Sequence, residues 1–447
     1  MSNFRKSSIF TATLWVLIAY GLSQLIRLIS NIFVSRLLAP EMFGVMAIVQ
    51  SIMIGLEMFS DMGFWAYIVR HKDGNDEKLL NVVWTLQVVR GWIMFFILTF
   101  IGLSVMLINL YCPSMLQGVY ADDRLPILIF IVGLTAILNG YKSMYAAVMS
   151  RDLKRGRVEF VQLLAQIAAS IIMVIWAWVS PTIWALVSAY LVSSLMLLIS
   201  GYLFFPIRHK ISWDKAIRND VFQFGKWIVF ASALTFIAQQ GDRVFFGAIL
   251  SADILGIYSI AFMLANTLST ITQQISTKIV YPVLASSVNL ERTVLKHIYY
   301  KIRLKVDAAV FFVSGILIFF APNLIEVLYD SRYEDAGWML QILIVSVIGT
   351  VLSAVAQECL SALAITKVRM QIMLVRTIGL IIGLPVGYEL FGLQGAIWAV
   401  SLNVWLGLPL MYRYLAKNNL FSWFHEVKQL PIVVVSYFMS KTLFYYV

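Results

Sequence analysis

The chain has 447 residues, of which 61% are hydrophobic and 13% charged, roughly half the charged share of an ordinary soluble domain. Its mean hydropathy of +0.85 leaves a soluble fold no polar surface to cover itself, which excludes a cytoplasmic globular enzyme, a disordered scaffold and a disulfide-rich secreted domain. The net charge of +11 does not point to nucleic acid, because the positive residues fall in short loops between apolar runs, without interleaved aromatics.

Apolar runs of spanning length occur at residues 10–35, 43–69, 79–108, 127–149, 158–179, 182–206, 221–250, 256–283, 304–328, 336–365, 370–391 and 395–415. A crossing takes about 20 residues, and helices are the open-ended elements that satisfy their own backbone in lipid. The pattern therefore predicts an all-α polytopic membrane protein with twelve spans. The first run is longer than a signal-peptide core and lacks a small-residue cleavage site, so it reads as an uncleaved span. A thirteenth apolar segment, 431–447, follows the amphipathic stretch Phe421-Ser-Trp-Phe-His-Glu-Val427. Cys112 and Cys359 are far apart and build neither a disulfide framework nor a metal cluster. His71, His209, His297 and His425 fall in polar stretches and read as solvated loop residues.

Lysine and arginine placement sets the orientation. The N-terminus and the loops after even-numbered spans hold 23 of them, against three (Arg36, Arg124 and Arg332) in the opposite loops. The N-terminus is expected on the cytoplasmic side. The loops carrying Asp122-Asp123 and Asp330/Glu334/Asp335 are expected outside, none much longer than the stretch Asn109–Pro126.

The two halves match. At an offset of 212, Trp15 falls on Trp227, and Leu38-Ala-Pro-Glu41-Met-Phe-Gly44-Val45 falls on Leu250-Ser-Ala-Asp253-Ile-Leu-Gly256-Ile257. Pro113…Tyr120 meets Pro322…Tyr329 at 209, Arg155-Gly-Arg157 meets Lys367-Val-Arg369 at 212, and Ile183-Trp-Ala185 meets Ile397-Trp-Ala399 at 214. This predicts two six-helix repeats, over residues 1–212 and 213–416, with 417–447 outside the duplication. Six is even, so the repeats are parallel, and in that architecture the substrate site lies between them near the midplane.

Eight cations lie inside apolar runs: Arg27, Arg90, Lys142, Lys226, Arg243, Lys278, Arg376 and Lys441. Lys226 can snorkel to an interface, and Lys441 belongs to the extra segment. A central Arg or Lys costs about 2.5–3.5 kcal/mol to insert, so the other six are candidates for a wet, positively lined cavity. Polar companions recur at helical spacing: Tyr20, Gln24 and Asn31 around Arg27; Thr235 and Gln239 before Asp242 and Arg243; Asn266, Thr270, Gln273 and Thr277 on span 8. The deep anions are Glu57, Asp61, Asp242 and Glu358. Glu57 and Asp61, one turn apart, share a face and are the first candidates for ion coupling; Asp242 and Glu358 are second, each expected to be committed to a cation. Static pairing of Glu57 or Asp61 with Arg27 or Arg90 is the competing structural reading. No phosphate-binding loop or nucleophile elbow is present, and His425-Glu-Val-Lys-Gln429 lacks the last ligand of a zinc motif. No enzyme, cofactor or metal site is expected.

Ser35-Arg36-Leu-Leu-Ala-Pro40-Glu41-Met-Phe43-Gly44, followed by Asp61-Met-Gly63, resembles the N-terminal signature of bacterial polysaccharide transporters. These are the lipid-linked O-antigen and exopolysaccharide flippases of the multidrug/oligosaccharidyl-lipid/polysaccharide exporter superfamily. Trp84-Thr-Leu-Gln-Val-Val-Arg90-Gly91 is similar to the exopolysaccharide branch, and Gly241-Asp242-Arg243 leading to Leu255-Gly256-Ile-Tyr258 is also family-like. The resemblance covers residues 8–415. It implies a flippase of the bacterial inner membrane moving a polyprenyl-diphosphate-linked glycan outward, with a polysaccharide polymerase and export machinery as possible partners. Arginines suit a diphosphate because the guanidinium fork clamps it bidentately. A multidrug or cation exporter of the same superfamily is the alternative, and it calls for an acidic or apolar cavity.

Overall fold

The computed structural model describes residues 21–446 except Asp61, Leu153, Pro206, Ile207 and Thr366. Among these residues the chain is all helix, with no strand. In the first repeat, α1 (21–37) is followed by α2 (Pro40–Ser60), α3 (Phe64–Arg70), α4 (Glu77–Tyr111), α5 (Leu125–Gly140), α6 (Tyr145–Arg151), α7 (Arg155–Val179) and α8 (Trp184–Phe204). The second repeat holds α9 (Lys215–Ile249), α10 (Ala252–Ile275), α11 (Tyr281–Ser287), α12 (Arg292–Leu328), α13 (Ala336–Ala362), α14 (Lys367–Asn403) and α15 (Leu408–Lys417). The short α16 (Trp423–Val427) and α17 (Pro431–Tyr446) end the chain.

Each predicted span has its helix or helix pair. Eight described stretches are long and apolar enough to cross by themselves, and the pair α5–α6, bent by 51°, makes a ninth. Two of the remaining spans have local explanations. α9 carries Lys215, Arg218, Asp220, Lys226, Asp242 and Arg243, too many charges for an apolar window. α14 holds two spans: Phe391 and Gly392 leave helical geometry, with φ of −135° and +60°. Past that turn the backbones of Gly387 and Gly395 come into contact, which a continuous helix would not allow.

The chain divides by packing into two compact units, Met1–Phe236 with Phe246–Gly256, and Ile237–Phe245 with Ile257–Val447. Most of α9 therefore packs with the first unit, although it begins the second sequence repeat. Within that unit the duplicated signatures meet. Side chains added at Gly44 and Gly256 would collide with the carbonyls of Ala252 and Pro40, respectively, so the two helix starts cross in backbone contact. In the second unit α13 is buried along most of its length. Its C-terminal end packs Val355, Ala356, Cys359 and Leu360 against Tyr299 of α12 and Met411 and Leu415 of α15. α17 lies along α12, with Ser436 and the Val433 carbonyl seated over Gly315.

Candidate translocation site

In the first unit the site is built around two helix ends inside the membrane. α2 stops at Ser60, leaving carbonyls without intrahelical donors. Arg90 of α4 reaches them: its Nη2 donates to the Glu57 carbonyl at 2.9 Å and its Nε to Ser60 Oγ at 2.9 Å. The Phe64 ring centroid lies 6.0 Å from its guanidinium carbon. A cation at a helix C-terminus also meets the negative end of the helix dipole.

The second end is the break between α5 and α6. Gln87 of α4 spans it, its Nε2 lying 3.0–3.1 Å from the carbonyls of Asn139, Gly140 and Lys142. Tyr202 of α8 donates to the Tyr141 carbonyl at 2.9 Å. These donors replace the water that a broken helix in lipid would otherwise need. Asn139 Nδ2 donates to Glu57 Oε1 at 3.3 Å, while Asn139 Oδ1 is buried without a hydrogen-bond partner. Lys142 is in electrostatic range of Glu57 but makes no ion pair among the described residues. Glu57, Arg90, Asn139 and Lys142 thus form one polar group. Asn139 was not a sequence candidate; its position beside a Gly-Tyr-Lys interruption of an apolar run was the available signal.

On α1, Arg27 is exposed, and Gln24 and Asn31 are half-buried. Asn31 Nδ2 donates to the Arg27 carbonyl at 3.0 Å. Asp61, the expected partner of Glu57 in ion coupling, lies outside the described residues, as does Tyr20.

In the second unit the adjacent Asp242 and Arg243 diverge. Asp242 is 3% exposed and accepts a hydrogen bond from Tyr258 of α10 at 2.5 Å. Among the described residues its partner is thus a hydroxyl, and it makes no ion pair with the cation expected. Arg243 donates to Gln240 Oε1 at 2.7 Å and lies 4.3 Å from the Phe262 ring centroid. Glu358 accepts from Thr277 at 3.3 Å, with Arg369 in electrostatic range. Lys278 sits in a π-helical turn, Ser276–Val280, that ends α10, a deformation common at functional sites. Arg376 is half-buried on α14, its Nε enclosed without a hydrogen-bond partner. Gln239, Asn266 and Gln273 are exposed.

Two features correct the loop reading. His209 is not solvated: Met144 N donates to its Nε2 at 3.1 Å, and its ring stacks on Trp84 at 5.5 Å and 16°. Burial pushes its pKa down to about 4, which keeps the ring neutral and able to accept. The linker continues along α4, with Lys210 N donating to Asn81 and Ser212 N to Thr85, each at 3.0 Å. The second correction is Arg303, which falls between the apolar runs 256–283 and 304–328 and so is one of the 23 cations expected in the N-terminus and the loops after even-numbered spans. It is fully buried, 2.8 Å from Asp307 Oδ2 and 2.5 Å from Glu426 Oε2, and donates to Tyr299 OH at 2.6 Å. Tyr300 OH donates to Glu426 Oε1 at 3.1 Å and accepts from Ser422 N at 2.8 Å. The spacing of Tyr299, Arg303 and Asp307 on one helix face was legible in the sequence; Glu426 was not. Among the described residues no group of three or more His, Cys, Asp or Glu side chains could hold a metal ion.

The sequence profile of a family described as polysaccharide biosynthesis protein matches residues 33–338, more than half of the chain. The chain belongs to this family. Among curated relatives, the chain is 21% identical over 455 aligned residues to the lipopolysaccharide biosynthesis protein WzxC of Escherichia coli (strain K12), covering 99% of this chain and 88% of that protein. It is 20% identical to the teichuronic acid biosynthesis protein TuaB of Bacillus subtilis (strain 168) over 51% of this chain, and the match spans 45% of that relative's length. Among solved structures, the fold is that of the lipid II flippase MurJ in its inward closed conformation, with TM-score 0.73, 12% identity and coverage of 97% and 99% of the two chains. The family member described here is therefore a multi-pass membrane protein with the fold of that flippase.

Proposed function

We propose that this protein is a flippase, not an enzyme. It carries a polyprenyl-diphosphate-linked glycan across the bacterial inner membrane for cell-surface or exopolysaccharide assembly. The observation that carries this reading is that Arg27, Lys142 and Arg376, three cations at membrane depth, make no ion pair among the described residues. An uncompensated cation in lipid is costly, and water or an anionic cargo removes that cost. The exposed polar residues Gln239, Asn266 and Gln273 support a wet path, because a face left uncovered by protein and rich in amides is ill suited to hydrocarbon. In this reading the two repeats are lobes that rock about a cationic cavity, the N-terminus is cytoplasmic, and the prenyl tail stays in lipid while the headgroup crosses.

The test is flipping of a fluorescent prenyl-diphosphate oligosaccharide by the purified protein in proteoliposomes. Wild type is expected to expose the label to an impermeant quencher. Arg27→Ala, Lys142→Ala and Arg376→Ala are expected to lose at least about tenfold in rate at normal abundance. Normal flipping by all three overturns the cationic path. Absence of flipping by wild type, with transport of a cationic dye in its place, favours the multidrug reading.

A further inference from the structure

The chain carries the same short motif after the last helix of each repeat. Ile211-Ser-Trp213 follows α8 and matches Phe421-Ser-Trp423, which follows α15, at an offset of 210. The two serines are pinned alike, each within its own unit. Ser212 N donates to Thr85 Oγ1 of α4 at 3.0 Å. Ser422 N donates at 2.8 Å to the hydroxyl of Tyr300 on α12, the counterpart of α4 in the second repeat. Thr85 and Tyr300 are both buried. With the backbone held there, the side chains sort the wrong way for water. Ile211 is 74% exposed and Trp213 59%, while Trp423 is 68% exposed and Phe424 73%. Polar groups turn inward instead: His209 meets Met144 N and Trp84, and Glu426 meets Arg303 and Tyr300. The single carboxylates of residues 208–215 and 417–428, Asp214 and Glu426, are bound to Lys78 at 2.6 Å and to Arg303, respectively. Arg208, Lys210, Lys215, Lys417 and Lys428 are exposed, so the charge each stretch presents outward is positive.

We infer that these two stretches are anchors that bind anionic phospholipid at the membrane surface. The tryptophan and its apolar neighbour enter the interfacial layer, and the exposed lysines and Arg208 take the phosphates. An indole is favoured in that layer because its ring is apolar while its N–H still meets water. An element facing bulk water would expose its polar side chains and bury these rings. Lysine and arginine beside the rings add attraction to anionic headgroups. Beyond the motif the flanks differ, Asp214-Lys-Ala216 in one stretch and Phe424-His-Glu426 in the other. What the stretches share is an exposed ring, an apolar neighbour and positive charge. An anionic lipid surface satisfies those three features, whereas a protein partner of fixed shape would also need matching flanks. The binding is independent of the cargo and of which face of the bilayer each stretch meets.

The experiment uses the full chain with Cys112→Ser, since Cys359 is buried, and a bimane fluorophore attached through Ile211→Cys or Val427→Cys. The protein is placed in nanodiscs of equal phosphatidylglycerol and phosphatidylcholine, with one of the two lipids brominated in its acyl chains. At both sites, quenching by brominated phosphatidylglycerol is expected to exceed that by brominated phosphatidylcholine about twofold. Lys210→Gln with Lys215→Gln is expected to remove that preference at 211, and Lys417→Gln with Lys428→Gln at 427, with quenching by lipid retained. These lysines are exposed, so the fold does not depend on them. Equal quenching by the two lipids, or a preference that survives the lysine variants, overturns the anionic site. Quenching by aqueous iodide in place of lipid places the stretch in water and overturns the anchor. Protection from lipid and iodide alike means that protein covers the stretch, a second copy or another chain, and overturns it too. A preference at one position alone overturns the assignment of the other.

Discussion

Gly44 and Gly256, equivalent by the 212-residue offset, lie at the crossing of two equivalent helix starts, each glycine against the other helix's first carbonyls. A duplicated sequence has here produced a locally two-fold contact, in which Gly44 faces Ala252 and Gly256 faces Pro40. A methyl group at either position has nowhere to go, because the atoms it meets are backbone. Gly44→Ala and Gly256→Ala are each expected to cost about 1–3 kcal/mol by overpacking. Gly156→Ala, where no heavy atom lies within 4 Å, is the control. Thermal unfolding in detergent checks this: equal midpoints for all three variants would show that the crossing relaxes freely.

The buried group at Arg303 sets one guanidinium against two carboxylates, Asp307 and Glu426. Removing the cation leaves two buried negative charges. Arg303→Ala is therefore expected to cost about 3–5 kcal/mol and to free residues 421–428 for proteolysis. Glu426→Gln removes the surplus charge and retains an acceptor for Tyr300, so its stability is expected to stay near wild type. The reverse order of the two variants would mean that the second carboxylate is needed to hold α16.

The His209 contact is expected to depend on pH. Its pKa is depressed in the folded chain to about 4 from an ordinary value of 6.5, so the folded state binds fewer protons than an undocked linker. The contact is fully present above pH 6.5, weakens as pH falls toward 4, and loses no more below that. Amide exchange at Lys210 and Ser212, compared at each pH with His209→Gln, reads this out. Wild type is expected to lose protection relative to the variant across that window, and parallel profiles would count against it.

Energy coupling is testable at Glu57, whose carboxylate meets Asn139 and lies in range of Lys142. If it carries the coupling proton, an imposed pH gradient accelerates flipping by wild type. Glu57→Gln then keeps slow flipping and ignores the gradient. Wild-type flipping indifferent to proton and sodium gradients would leave Glu57 a structural role, and glycan consumption on the far side would drive transport.

The sequence alone determined the helices, their number and the duplication. Lipid demands internally satisfied backbone, so a run of apolar residues near 20 long has few alternatives to a helix, and an offset of 212 residues survives as matched motifs. It also marked the deep cations, because a charge inside an apolar run is conspicuous whatever it contacts. What those charges do was decided by tertiary packing. Asp242 and Arg243 are neighbours in sequence, yet one is buried on Tyr258 and the other lies on Phe262, since successive residues on a helix point about 100° apart. Arg90 serves the end of α2, and Gln87 the break before α6, through contacts between helices that no local spacing encodes. The same holds for Arg303 and His209, which composition assigned to solvated loops. Their burial depends on where residues 421–428 and the linker along α4 fold back, and that is fixed by the packed helices alone.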